Sequence, residues 1–377
     1  MDMRSSTRTG TTASDRTMTA SLDDILARAL ERPRNLSVAD LTRLVSLEAP
    51  EERRIVRAAA YGLKCRIVGK LVSMRGIVEI GNVCAKDCLY CGIRRSNANL
   101  ERYRLSIDDI LRMAEVDAKA GYASIVLQGG EIESEANTVF IEECLRGMAH
   151  LDLGVTLSLG EQSEEVYRRW KEAGASRYLL RIETSSPELY ARLHPADHSW
   201  TRRVECLAAL RRCGYQVGTG VMSALPGQSM EDLARDIVFF GDRDVDMIGM
   251  GPYIPHPDTP LASEPQTLNN AGRLQLGLNM IAATRLYLHD VNIASTTALQ
   301  ALAPDGREQG ILAGANVMMP NVTDAAYRRR YQLYAGKPCL DENAQQCRGC
   351  LERRLAAIGE RVNYGARGDS LHFKART

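Results

Sequence analysis

Short runs of apolar and β-branched residues recur between residues 76 and 322, and most intervals between them carry the spacing of amphipathic helices. The runs occupy residues 76–83, 123–130, 154–160, 177–184, 216–225, 246–254, 291–298 and 316–322. Alternating strands and helices favour a parallel sheet covered by helices, and eight such units match a (β/α)8 barrel of the TIM type. We therefore predict an α/β fold whose barrel spans residues 76–325, with an open doubly wound sheet as the alternative.

Two further regions flank the predicted barrel. Residues 21–75 carry the pattern of helices, with Ser37 and Pro50 as start signals. We expect these N-terminal helices to pack on the outside or the base of the barrel. Residues 326–377 form a C-terminal extension that contains cysteines.

The first twenty residues are rich in Ser, Thr and Arg and have little to bury, which predicts a disordered tail at residues 1–20. A transit peptide is the alternative for this segment. Asp2, Asp15 and the lack of an apolar stripe argue against it.

Composition excludes several classes of protein. The chain has 377 residues, 45% of them hydrophobic, which is enough for a large core. Lys and Arg number 48 against 47 Asp and Glu, so the formal charge of +1 gives no overall attraction to nucleic acid or to an anionic membrane. No apolar run approaches the roughly 18 residues of a membrane span, and no secretory signal is recognisable. The sequence predicts a cytoplasmic protein.

The ten cysteines fall into groups. In a reducing cytoplasm they are metal ligands or small buried side chains rather than disulfides. One cluster is Cys84, Cys88 and Cys91, and a second, near the C-terminus, is Cys339, Cys347 and Cys350. The remaining four, Cys65, Cys144, Cys206 and Cys213, stand apart in helix-like stretches, where we predict that they belong to the core.

The first cluster lies in the stretch "NVCAKDCLYCGIRRSN", directly after the first predicted strand. Thiolates are the usual ligands of iron–sulfur clusters, and a four-iron cluster takes four of them. Three thiolates leave one iron free to bind a small molecule, which is the catalytic role that we predict for Cys84, Cys88 and Cys91. A zinc site completed by histidine is the alternative, but the nearest histidine in sequence is His150.

Other strand ends also carry polar side chains, and strand ends of this kind line the active sites of barrels. Arg177, Arg181 and Glu183 alternate along one strand, so they share a face. Two cations and one anion on one interior face need a ligand or a partner, which indicates an anionic substrate. Thr296 and Thr297 end the seventh strand, and capping of the next helix is the alternative role for them.

The spacing Cys-x3-Cys-x2-Cys, with Tyr90 before the third cysteine and a strand before the loop, resembles that of the radical S-adenosylmethionine enzymes. The resemblance implies a four-iron cluster whose open iron chelates S-adenosylmethionine, and a 5'-deoxyadenosyl radical formed from it. By the same resemblance the residues that hold the cofactor are Tyr90, Gly129, Gly130, Glu131, Ser158, Glu183 and Arg203.

Longer stretches between residues 50 and 355 are similar to one subfamily, the HydE-type maturases of the FeFe-hydrogenase H-cluster, within the biotin synthase-like subgroup. They include "AGASRYLLRIET", "GPYIPHPDTPLA", "GANVMMPN" and "YQLYAGKPC". This similarity implies assembly of a dithiolate-bridged two-iron unit from a small cysteine-bound iron complex carrying CO and cyanide. It implies companion maturases and a low-potential electron donor as partners. The predicted substrate residues are Arg177, Arg181, Thr296, Thr297 and Tyr334, and the similarity implies that the two threonines contribute to an anion site.

Alternatives from other classes remain open at this point. One is another radical enzyme of the same subgroup, such as a methylornithine synthase or a biotin synthase-like sulfur inserter. The other is a non-catalytic iron–sulfur scaffold, against which the polar strand ends argue. For Cys339, Cys347 and Cys350 the resemblance implies an auxiliary iron–sulfur cluster, with zinc as the alternative.

A few residues carry narrower expectations. Ile182 stands where the subfamily pattern has His, and its effect depends on whether it faces the barrel interior. His194 and His198 are predicted to be surface or loop residues, because Pro195 disrupts a helical pairing between them. The run 328–330 is predicted to be a solvated basic face. Tyr331 and Tyr334 either close the mouth of the cavity or belong to the core.

Overall fold

The structure, a computed structural model, describes residues 20–341 and 344–377 and is built around parallel strands. The strands are β1 (Leu71–Met74), β2 (Gly76–Gly81), β3 (Ser124–Gly129), β4 (Gly154–Ser158), β5 (Ala175–Leu179), β6 (Gln216–Thr219), β7 (Met222–Ser223), β8 (Met247–Ile248), β9 (Gly251–Pro252), β10 (Asn292–Ile293), β11 (Val317–Met318) and β12 (Arg361–Val362). A seven-stranded sheet has the order β10-β8-β6-β5-β4-β3-β2, and every neighbouring pair in it is parallel. The tail predicted at residues 1–20 lies, except for its last residue, outside the described residues.

The curled sheet is closed by β11 and the residues that follow it. Ala294 forms a parallel bridge with Val317, and Ile77 forms one with Asn321. The Ile77 N–H also donates to the Pro320 carbonyl oxygen at 2.8 Å. In the described ranges, β11 and the residues after it therefore lie between β10 and β2, as in a closed barrel. The predicted (β/α)8 barrel is confirmed, and the open sheet is not formed.

Helices cover the outside of the barrel and lie between its strands along the chain. They are α1 (Leu22–Glu31), α2 (Val38–Val45), α3 (Pro50–Ile67), α4 (Ile107–Lys119), α5 (Glu135–Gly147), α6 (Glu164–Glu172), α7 (Pro187–Leu193), α8 (Trp200–Arg212), α9 (Met230–Asp242), α10 (Asn270–Tyr287), α11 (Thr297–Leu302), α12 (Gly306–Leu312), α13 (Ala325–Arg328), α14 (Ala344–Ala357) and α15 (Leu371–Lys374). Within the described ranges, none of them has the length and apolar character to cross a bilayer.

The three N-terminal helices pack on α9 and α10, at the outer layer of the barrel. Ser37 begins α2 with a capping box, in which its hydroxyl accepts from the Asp40 N–H while the Asp40 carboxylate accepts from the Ser37 N–H. Pro50 is the first residue of α3. Both predicted start signals are therefore confirmed. The sequence did not reveal β1, which follows α3 and pairs with β11 and β12.

The four isolated cysteines do not share one environment. Cys144 and Cys206 are buried, as predicted. Cys213 is half-buried and packs against the edge of the core, so the prediction holds for it in part, whereas Cys65 is half-buried and the prediction of a core position is wrong for it. Helical periodicity identified the helices that carry them but did not fix which face each thiol occupies.

Arg177 lies at the base of the barrel, at the end opposite to the carboxyl ends of the strands. Its guanidinium donates to Ser124 Oγ at 2.7 Å and to the Gly154 carbonyl oxygen at 3.1 Å, and both of these residues begin strands. An ion pair with Asp369 at 2.5 Å neutralises its charge. This placement corrects the expectation that Arg177 contacts substrate. Alternation gave the right face, but Arg181 lies four residues, or about 13 Å, further along the chain direction.

A C-terminal segment seals the base around Arg177. The Ser370 N–H donates to Gln216 Oε1 at 2.8 Å, and the Asn292 amide donates to the Gly368 carbonyl oxygen at 2.8 Å. Arg75 donates to the same carbonyl at 3.1 Å. These contacts provide hydrogen-bond partners for polar groups at the base of the barrel that would otherwise be buried without them.

His372, in the last described helix, fastens this segment to two acidic residues. Its Nε2 lies 2.8 Å from Asp244 Oδ1 and its Nδ1 lies 3.3 Å from Asp290 Oδ1. The hydrogen bond to Asp290, with the further contact to Asp244, raises the pKa of His372 above its usual value of 6.5. Arg34, Arg211 and Arg376 also approach Asp244, so the pair lies within a mixed-charge cluster.

We predict that His372→Gln destabilises the protein in a pH-dependent manner. A pKa that is raised in the folded state stabilises the fold fully below the unfolded value of about 6.5, and this contribution disappears as the pH rises through the folded value. Urea unfolding should therefore show a larger loss of free energy at about pH 6 than at about pH 8.5. His150→Gln, at an exposed position, is the control and should show no such difference. An equal loss at both pH values would contradict this assignment.

Candidate functional site

A cavity of about 330 Å³ opens at the carboxyl ends of the barrel strands. Most of the residues predicted to bind cofactor or substrate line it: Cys84, Cys88, Tyr90, Cys91, Gly129, Gly130, Glu131, Ser158, Arg181, Glu183, Arg203, Thr296, Thr297 and Tyr334. Arg177 and the three C-terminal cysteines do not line it. The cavity thus joins residues from most of the barrel strands and from the segment after α13.

The cysteine loop, residues 84–91, forms one wall of this cavity and contains no helix or strand. Cys84 Sγ accepts two backbone N–H groups, from Lys86 at 3.4 Å and from Glu131 at 3.3 Å. Burial raises the pKa of Cys84, and it raises the pKa of Cys88 to about 12. Free thiols would therefore be protonated here, and a bound metal would be needed to keep them as thiolates.

The donor set fits a four-iron cluster with one iron not held by a protein sulfur. The cavity is lined by three cysteines of the loop, and none of the other cysteines in the described ranges reaches it. The N–H groups directed at Cys84 match the backbone hydrogen bonds that stabilise cluster sulfurs. Among the described residues no three His, Cys, Asp or Glu side chains are close enough to hold a single metal ion. A cluster of several iron and sulfide atoms accommodates more widely spaced thiolates than a single zinc ion does.

Gly130 is required by the close approach of β3 to the cysteine loop. A Cβ atom at this position would lie 2.1 Å from the Val83 carbonyl oxygen and 2.7 Å from Cys84 Cβ. Gly129 is less constrained, because its nearest contact would be a side-chain atom of Ile80 at 3.0 Å. The Gly-Gly pair therefore allows the end of β3 to pack closely against the cysteine loop. The same lack of side chains would also let a cofactor approach the backbone.

Four charged side chains, Lys86, Glu131, Glu161 and Arg203, form a charge cluster beside the cysteine loop. Lys86 Nζ lies 3.1 Å from a carboxylate oxygen of each glutamate. Arg203 Nε lies 2.5 Å from Glu161, and Arg203 Nη2 lies 3.8 Å from Glu131. Both glutamates are almost fully buried. Lys86 and Glu161 were not among the residues predicted for the site, although Lys86 lies inside the cysteine loop and Glu161 lies three residues after the end of β4.

The two glutamates of the charge cluster differ in electrostatics. Burial raises the pKa of Glu131, and Arg203 only partly opposes this effect. Burial also disfavours the charge of Glu161, but Arg203 and Lys86 outweigh it and lower the pKa of that carboxyl. Glu161 therefore holds the two cations in place, while Glu131, which lines the cavity, is the carboxylate that gains more from a cationic ligand.

Gly160 makes room for the Glu131 carboxylate. Its φ of +78° is in the left-handed region, and a Cβ atom there would lie 2.1 Å from Glu131 Oε2. A residue with a side chain at this position would displace the carboxylate from the cavity wall.

Arg181 and Glu183 form an ion pair at the end of β5, with Arg181 Nη2 lying 2.8 Å from Glu183 Oε2. Glu183 has a φ of 66°, a left-handed conformation that is uncommon for residues other than glycine. Parallel contacts to Gly220 and Val221 hold the strained backbone. Strain of this kind is common at functional sites, where surrounding contacts compensate for it.

Ile182, the departure from the subfamily pattern, does not reach the cavity. Its side chain is fully buried in the hydrophobic core, and its N–H donates to Thr219 Oγ1 at 3.1 Å. The aliphatic side chain therefore faces the layer between strands and helices. The presence of Ile182 where the subfamily pattern has His therefore does not alter the side chains that line the cavity.

Another part of the cavity wall, which includes the segment after α13, carries hydroxyl groups and a second ion pair. Thr297 Oγ1 and Tyr334 Oη are 2.8 Å apart. Thr296 is the N-cap residue of α11, but its hydroxyl donates to the Met250 carbonyl oxygen at 3.4 Å instead of capping the helix. Lys337 forms an ion pair with Glu79, and both line the cavity. Tyr331, which is 1% exposed, and Tyr334 line the same wall, so the segment after α13 closes this side.

Two predictions about positively charged or titratable residues hold only in part. His194 and His198 lie in the connection between α7 and α8, as predicted for loop residues, but both are buried against the cysteine loop and are not surface residues. In the run 328–330, Arg328 is 1% exposed and donates to the carbonyl oxygens of Thr323 and Asn321, so only its neighbours belong to a solvated face. Local sequence could not show that later segments fold over these side chains.

The C-terminal cysteines lie away from the cavity. Cys339 Sγ contacts Gln300 at 3.8 Å and Arg307 at 3.9 Å. Cys347 and Cys350 are both on α14, with Cys347 buried among core residues and Cys350 half-buried. Their place on the outer side of the barrel agrees with the position expected from sequence.

A model of the radical SAM superfamily matches residues 78–240. Over 299 residues the chain is 45% identical to the FeFe-hydrogenase maturase subunit HydE of Thermotoga maritima, an alignment that covers 79% of this chain and 84% of the relative. The chain belongs to the radical SAM superfamily and to its HydE family. Membership implies an enzyme that uses a four-iron cluster and S-adenosylmethionine.

More distant similarities are to methylornithine synthases. The 3-methylornithine synthase of Methanosarcina acetivorans is 26% identical over 285 residues, covering 75% of this chain and 79% of that relative. The crystal structure of a methylornithine synthase (PylB) superposes with a TM-score of 0.76 at 23% identity, covering 90% of this chain and 98% of that one. The structural likeness supports the barrel fold alone, while the much higher identity to HydE supports the family.

We predict that Gly130→Ala disrupts the cysteine loop of this HydE-family protein. The added methyl group would collide with the Val83 carbonyl oxygen and Cys84 Cβ, and overpacking of this kind costs about 1 to 3 kcal/mol. Denaturant unfolding should show this loss, and the loop thiols of the metal-free protein should react faster with a thiol reagent. Gly62→Ala is the matched control, because nothing lies within 4 Å of its added Cβ in α3. Equal behaviour of the two variants would contradict the packing argument.

Proposed function

We propose that this protein cleaves S-adenosylmethionine reductively and uses the resulting 5'-deoxyadenosyl radical in assembly of the dithiolate-bridged two-iron subcluster of FeFe-hydrogenase. The proposed substrate is a small cysteine-bound iron complex that carries CO and cyanide. The observation that supports this proposal most directly is the single cavity that brings together the cysteine loop, the charge cluster and the hydroxyl-rich wall. The identity of 45% to HydE supports the pathway.

At the cofactor end, Cys84, Cys88 and Cys91 are the proposed cluster ligands. The bound cluster would supply the electron that splits the sulfonium of S-adenosylmethionine into methionine and the deoxyadenosyl radical. Glu131 offers a buried carboxylate to the methionyl ammonium, and the guanidinium of Arg203 offers donors to its carboxylate. Burial of both residues excludes water and strengthens these contacts.

Other residues at this end complete the proposed cofactor site. Tyr90, Gly129, Gly130, Ser158 and Glu183 line the same part of the cavity as the cysteine loop. The glycines permit close backbone approach, and the Ser158 hydroxyl and Glu183 carboxylate provide hydrogen-bond partners. Arg203 also donates to the Arg181 carbonyl oxygen at 2.8 Å, which links the cofactor contacts to the substrate side.

At the substrate end, Arg181, Thr296, Thr297 and Tyr334 are the proposed contacts. Arg181 supplies the positive charge that an anionic iron complex requires, and it is already held by Glu183. The threonine and tyrosine hydroxyls donate or accept as the ligand needs. This arrangement would orient a small polar complex within the cavity that the cysteine loop also lines. Companion maturases would supply and receive the iron complex, and a low-potential donor would supply the electron.

The central test of the proposed function is cleavage of S-adenosylmethionine under anaerobic conditions. With dithionite, the reconstituted wild-type protein should release 5'-deoxyadenosine, and the reduced cluster should change its electron paramagnetic resonance spectrum when S-adenosylmethionine is added. Cys84→Ala, Cys88→Ala and Cys91→Ala should each abolish release, because each removes a cluster ligand. Cys144→Ala, which changes a buried cysteine of the helix layer, is the control and should retain it.

Retained cleavage in a loop variant would refute the ligand assignment. Absence of cleavage in the wild-type protein with an intact cluster would favour a scaffold. The pathway needs a separate readout, namely activation of an FeFe-hydrogenase by the purified companion maturases with and without this protein. Cleavage without any hydrogenase activation would favour another radical enzyme of the subgroup.

We also propose that Cys339, Cys347 and Cys350 hold an auxiliary metal site with no part in radical formation. None of them reaches the cavity, so a metal there could not touch the cofactor. The variant with all three changed to Ser should bind less iron and keep most of its cleavage with a chemical reductant. Iron analysis and the 5'-deoxyadenosine assay check this together. Loss of cleavage with the first cluster intact would show that the second site is functional.

A further inference from the structure

Two buried histidines behind the cysteine loop have no role in the function derived so far. His194 is 3% exposed and His198 is 8% exposed. Both lie in the connection between α7 and α8, and neither lines the cavity. Each uses both ring nitrogens, and in each case one contact is to the cysteine loop.

The contacts of His198 define its tautomer. The backbone N–H of Asp87 points at His198 Nε2 from 3.2 Å. Because an amide N–H can only donate, Nε2 must be unprotonated and accept this bond. The ring proton then lies on Nδ1, which donates to Asp197 Oδ1 at 2.8 Å. His198 is therefore a neutral acceptor aimed at the loop backbone.

The same reasoning fixes His194. Its Nδ1 lies 2.9 Å from the Tyr190 carbonyl oxygen, which can only accept, so Nδ1 carries the proton. Nε2 must then accept from the Tyr90 hydroxyl at 3.2 Å. The imidazole stacks on the Tyr190 ring with centroids 3.9 Å apart and meets the Tyr90 ring edge-on at 5.4 Å. Burial lowers the pKa of His194 to about 3, which agrees with a neutral ring.

These contacts surround Cys88 in sequence. A third bond from the same connection lies between them, since the Leu89 N–H donates to the Leu193 carbonyl oxygen at 2.9 Å. The loop residues just before and just after Cys88 are thus bonded to the connection between α7 and α8. The loop itself has no helix or strand, so such bonds decide where the Cys88 sulfur lies.

The connection also leads directly into the helix that carries Arg203. Ser199, the residue after His198, is the N-cap of α8, and its hydroxyl accepts from the Arg202 N–H. A shift of the connection would move the loop and Arg203 together. The histidines therefore join the proposed cluster ligands to the proposed cofactor contact through one rigid element.

We propose that His198 and His194 are positioning residues that hold the cysteine loop around Cys88 in register with Arg203, and so set how S-adenosylmethionine engages the cluster. This inference rests on the proposed function for the identity of the cluster and cofactor. It concerns residues that touch neither of them, and it assigns each ring an acceptor role through Nε2.

The test compares an acceptor-retaining and an acceptor-removing variant of His198. The side-chain oxygen of His198→Gln can accept the Asp87 N–H, whereas His198→Leu keeps the volume and removes the acceptor. Electron paramagnetic resonance titration with S-adenosylmethionine should show about threefold to tenfold weaker engagement in the Leu variant, the scale of one hydrogen bond, and near wild-type behaviour in the Gln variant. Iron content should be unchanged in both. His194→Leu, which removes the acceptor of the Tyr90 hydroxyl, should shift the titration in the same direction.

His289→Leu is the matched control, since His289 is also buried and bonded to a carbonyl oxygen, that of Ala29, far along the chain from the cysteine loop. It should leave the titration unchanged even though it removes a buried imidazole. An equal shift in this control and in His198→Leu would reduce the effect to general destabilisation and overturn the inference.

A second measurement separates this inference from the proposed function. Backbone hydrogen exchange of residues 85–91 in the metal-free protein should be faster in His198→Leu than in the wild type or in His198→Gln. This readout needs neither cluster nor cofactor, so it remains decisive if the wild-type protein fails to cleave S-adenosylmethionine. Unchanged exchange in His198→Leu would overturn the positioning role whatever the cluster does.

Discussion

Mutual neutralisation of buried charge in the charge cluster is the constraint on which the rest of the site depends. Two almost fully buried glutamates would be costly in a low-dielectric interior unless cations paired with them, and Lys86 and Arg203 each pair with both. Each of the four residues comes from a different part of the barrel top. Pairing them therefore fixes the cysteine loop, the ends of β3 and β4, and α8 relative to one another. A cofactor that enters this site meets charges that are already oriented.

Close packing around the charge cluster explains why glycines occur at two positions in the site. Gly130 permits contact between strand and loop, and Gly160 permits the Glu131 carboxylate to lie at the cavity wall. Neither glycine needs to touch a ligand to be essential to the site. Both glycines allow the segments after β2, β3 and β4 to lie close enough together for the charge cluster to form. Close packing of the backbone is therefore a condition for the ion pairs.

Much of this arrangement could be predicted from sequence because it depends on local periodicity. The strand runs identified the barrel, and residues at their ends, such as Glu131 and Thr297, lie in the cavity as expected. Arg177 shows the limit of that reasoning, because alternation gives the face of a strand but not the end of the barrel at which a side chain lies. His194 and His198 show a second limit. Their burial depends on the cysteine loop, which lies about a hundred residues earlier and makes no pattern with them. For Ile182 the sequence could not show whether the side chain faces the barrel interior or the helices, because that depends on the packing of the whole barrel.

The seal at the barrel base has a consequence for how the chain reaches its native state. Arg75, the residue before β2, donates a hydrogen bond to Gly368, which lies 293 positions later in the chain. Arg177 forms an ion pair with Asp369, which lies 192 positions later. Closing loops of that length carries an entropic cost that local helices do not have to meet. We therefore expect the C-terminal segment to dock at the barrel base after the helices and strands have formed. Until it docks, the two buried guanidiniums lack their partners in that segment. Binding of the proposed cluster at the cysteine loop, at the opposite end of the barrel, would not need that docking, because the contacts of the loop given above involve no residue of the C-terminal segment.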